Sequence, residues 1–75
     1  MPATTLTGLL TDMVAIYEHH RIAAMDADLT GRDSDAALYH ALAESTLRQC
    51  FEVLDELVRV APETAEDCAR RLFRP

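Results

Sequence analysis

Lysine and tryptophan are absent from this 75-residue chain, glycine and cysteine occur twice each, and proline three times. Each scarcity closes off a class of protein. Without lysine, seven arginines stand against thirteen acids, a net charge of −6 with histidine neutral. Nucleic acid requires a clustered basic face to neutralise phosphates, and an anionic membrane surface requires a polybasic segment. Neither is an expected partner. Cys50 and Cys68 form no C-x-x-C and no zinc-finger spacing, so neither a disulfide framework nor a zinc fold is expected. They read as reduced thiols, which places the chain in the cytoplasm.

No apolar run approaches the roughly 20 residues that span a bilayer. The first thirteen residues have no basic region, and Asp12 interrupts their apolar run, which is not the pattern of a secretory leader. A glycine-rich phosphate loop and a G-x-S-x-G elbow are both missing, and no enzyme is expected. With 49% hydrophobic residues the chain is too apolar to be disordered. At this length it is one domain with a modest core, and such domains gain stability from disulfides, metal or oligomerisation.

What the sequence does contain is helix-forming residues in helical periodicity. A first helix is expected over about 5–30, capped by Thr4 or Thr5. Its apolar residues Leu6, Leu9, Leu10, Met13, Ile16, Tyr17, Ala24 and Ala27 recur at spacings of three and four. His20 falls near the middle of this stripe, and His19 points toward solvent with Asp12 and Asp26. Residues 31–34 form a turn, with Gly31 as a left-handed cap and Ser34 starting the next helix. A link this short makes the second helix an antiparallel neighbour.

The second helix is expected over about 35–61. Its seam reads Ala36, His40, Ala43, Leu47, Cys50, Leu54, Leu57, Ala61, in heptad-like steps. Arg48–Glu52 and Asp55–Arg59 are positioned as i,i+4 ion pairs. Pro62 ends this helix and opens a short third one over about 62–73. Arg70, Arg71 and Arg74 there complement the negative end of that helix. The expected fold is therefore all-α: an antiparallel helical hairpin plus a short C-terminal helix.

The stripes are wider than one partner helix covers, which points to a four-helix bundle formed by a homodimer. Ile22, Met25 and Leu29 lie off the main stripe of the first helix, as do Leu38 and Leu42 on the second. All five sit near the turn; in a dimer with turns at opposite ends, Leu72 and Phe73 from the C-terminal helix of the second copy are candidates to cover them, and otherwise another protein binds there. Together these seven make a candidate interface, and apolar patches of this kind mark association sites. The expected function is a small acidic protein–protein interaction module, an adaptor, accessory subunit or regulator, working as a homodimer with a further protein partner.

The histidines suggest a second class. His40 and Glu44 are four residues apart on one helix edge, and His20 lies roughly level with Glu44 across the hairpin. His20, His40 and Glu44 could thus converge on a transition metal, as carboxylates and histidines do inside helical bundles. The Glu-x-x-His pair of di-iron bundles is missing, however. The alternative for His20 is a buried, neutral core residue that fixes register.

Overall fold

The computed structural model describes residues 2–73. Three helices follow one another: α1 (Ala3–Leu29), α2 (Asp33–Val60) and α3 (Pro62–Leu72). No strand occurs among the described residues.

Helix α1 starts two residues before the position expected from its threonines. Extended Pro2 precedes it (φ −62°, ψ 146°) and no side chain caps it. The Leu6 N–H donates to the Pro2 carbonyl at 3.1 Å, so the helix ladder begins without a hydroxyl. Thr7 and Thr11 instead return their hydroxyls to carbonyls four residues back, at 2.9 Å each, the local bond that short hydroxyl side chains make inside helices.

The turn is a Schellman cap. The Arg32 N–H reaches the Ala27 carbonyl at 2.9 Å and the Gly31 N–H reaches Asp28 at 3.3 Å. This closure needs a left-handed residue, and Gly31 supplies it at φ 71°. Arg32 then bonds both Asp26 (2.7 Å) and Asp35 (3.4 Å), clamping the turn. Ser34 is not the N-cap of α2. The helix has already begun at Asp33, with Asp33 and Asp35 in its first turn, where acids favour the positive helix end.

The two glycines predict opposite responses to alanine. Gly8 sits inside α1 with open space around a added Cβ, whereas Gly31 has positive φ. Gly8→Ala should raise stability by about 0.5–1 kcal/mol. Gly31→Ala should lower it by about 1–2 kcal/mol, the cost of a left-handed non-glycine residue. Urea denaturation of the two variants beside the parent checks both signs.

Pro62 has no N–H to continue the ladder and pushes its predecessor toward extended geometry. Ala61 accordingly sits at φ −154°, ψ 74°, and Pro62 becomes the first residue of α3. The chain reverses there, so α3 packs back along the hairpin. The main cluster lies at this end and joins Leu6, Leu10, Val14, Cys50, Leu57, Ala65 and Cys68 from all three helices. Burial pushes the Cys50 thiol up from its ordinary value, which keeps it protonated and inert. Arg70 and Arg71 pair with Glu66 (2.7 Å) and Asp67 (3.0 Å); Arg74 lies outside the described residues.

Candidate protein interface

Helix α3 divides the hairpin into two unlike halves. Over the half near the termini it closes a three-helix core. The Cys68 thiol points at the Thr7 hydroxyl at 3.9 Å, and the Phe73 ring stacks on Phe51 with centroids 5.9 Å apart. Leu72 and Phe73 pack on the main cluster of their own chain. Where they end, a shallow cleft of about 350 Å³ opens, lined by Val14, Tyr17, Glu18, Arg21, Leu47, Leu72 and Phe73. Within one chain, Leu72 and Phe73 therefore cover the middle of the hairpin, not the apolar residues near the turn.

The half near the turn has only two helices, and their contact is built from alanine. Ala24 and Ala27 are fully buried, and Ala36 and Ala43 nearly so. Small side chains let the backbones approach, and bulk is then left outside. Ile22 is 59% exposed, Met25 50%, Leu29 84%, Leu38 56% and Leu42 37%. The large apolar residues of this half are thus on its surface.

These five do not share one face. Arg21 lines the cleft beside α3 and donates toward the Met25 sulfur at 3.6 Å. Met25, with Ile22 and Leu29 at helical spacing beside it, therefore belongs to the side of α1 that runs on from α3 and outward. On α2, Phe51 stacks on Phe73, and His40, eleven residues before it, lies within about 20° of the same direction. Residues two apart on an α-helix differ in direction by about 200°. Leu42 thus lies on the flank away from His40, Val53 away from Phe51, and Val60 away from Val58.

The same geometry places Leu9 opposite Thr7, and Ile16 and His20 opposite Glu18. These were expected in the seam of α1; Leu9 and Ile16 are instead exposed, at 39% and 49%. Val14, which the periodicity passes over, takes the buried place. On the side away from α3, Leu9 and Ile16 of α1 and Leu38, Leu42 and Val60 of α2 are exposed, whereas Met13 and Val53 of that side pack on the main cluster.

The histidine and glutamate candidates are separated. His40 is exposed and paired with Asp28, and Glu44 is exposed, its nearest cation being Arg48 at 3.9 Å. The expected Arg48–Glu52 and Asp55–Arg59 pairs are replaced by Arg48–Glu44 and Arg59–Glu56. Arg59 holds the Glu56 carboxyl below its ordinary value, and Glu18 raises Arg21 in the same way. His20 is half-buried, not central to the core, and its Nδ1 is buried without a hydrogen-bond partner. Among the described residues of one chain no three His, Cys, Asp or Glu side chains gather as a metal would require.

No helix among the described residues is long and apolar enough to cross a membrane. No family model, no curated protein and no solved structure matches the chain.

Proposed function

We propose that this chain is a small acidic protein–protein interaction module that works as a homodimer, an adaptor or regulator for a further protein. One observation carries the reading. Among the described residues ten large apolar side chains are exposed, whereas Leu6, Leu10, Val14 and Leu57 are the only aliphatic ones of that size that are buried. The exposed ones lie on more than one side of the hairpin; large exposed apolar patches mark association sites, and a 75-residue chain gains much from burying them. The dimer is a four-helix arrangement of two hairpins, each carrying its own α3. The partner protein is expected to carry net positive charge, complementary to −6.

Sedimentation velocity on the purified chain across micromolar concentrations tests the assembly. The expected result is a mass of two chains; a helical monomer throughout overturns the reading.

A further inference from the structure

We draw no further inference here: the strongest candidate, the row of exposed Ile22, Met25 and Leu29 on α1 that continues past the cleft at the end of α3, is an unpartnered apolar face, and nothing in the structure shows what covers it.

Discussion

Leu57→Ala should lower the melting temperature by about 10–30 °C, a loss that only truncation of Leu10 is expected to match. Leu57 and Leu10 are the two fully buried leucines, and both sit where the three helices meet. Removing a buried leucine side chain costs about 2–5 kcal/mol, because the lost transfer free energy adds to that of the cavity left behind. A domain of this length is stable by about 4–11 kcal/mol in total. The variant therefore gives up a large fraction of its stability. Neighbouring Val58 is half exposed, at 51%, and Val58→Ala should stay within about 0.5 kcal/mol. Thermal melts at one fixed chain concentration compare the two, since association makes the midpoint concentration-dependent. Equal losses would mean that α2 is rotated from the register described here.

The helices were legible in the sequence because their signals are local. Gly31 fixed the left-handed turn and Pro62 fixed the second reversal, each through its own backbone chemistry. Helix ends were read less well. Threonine and serine were assigned as caps at Thr4 or Thr5 and at Ser34, but extended Pro2 and the Schellman turn had already set where the helices begin.

The rotation of each helix about its axis was harder to read, for a physical reason. Periodicity shows which residues avoid water, not which partner excludes the water. Leu9 and Ile16 belong to the same broad stripe as Leu6 and Leu10, yet one pair faces away from the other two helices and the other pair faces the core. His40 illustrates a second limit. A seam written in alternating steps of three and four joins two series of residues, and the two need not be buried equally. The seven-residue series Ala36, Ala43, Cys50 and Leu57 is buried throughout, but His40, ten residues from Cys50, stands about 80° round the helix from it. In the structure His40 turns outward to Asp28, and Thr46 takes a seam position instead of Leu47. The proposed His20, His40 and Glu44 convergence depended on that seam and separates with it.

The alanine contact near the turn yields the second large effect. Ala24→Leu should destabilise the chain by about 1–3 kcal/mol even though it adds apolar surface. Ala24 is fully buried in the half near the turn, where Ala36 and Ala43 are buried residues of the other helix. Interaxial distance follows the side chains at the contact, within a range of about 8–10 Å. A leucine in place of the alanine leaves no void to occupy, so the helices must part or the side chain must leave its rotamer. The damage should be confined to the half near the turn, because the three-helix cluster around Leu10, Leu57 and Cys68 lies at the other end. Amide hydrogen exchange reads this directly. Protection should fall for residues around Ala24 and Ala43 while amides near Leu10 and Leu57 keep most of theirs, since openings of separate regions carry separate free energies. The exposed neighbour supplies the contrast. Met25→Leu, a swap of similar volume at a half-exposed site, should change stability by less than about 0.5 kcal/mol. If Ala24→Leu proves equally harmless, the helices near the turn are not in close contact, and the exposure of Ile22, Leu29, Leu38 and Leu42 needs a different explanation from an alanine seam that leaves them no interior.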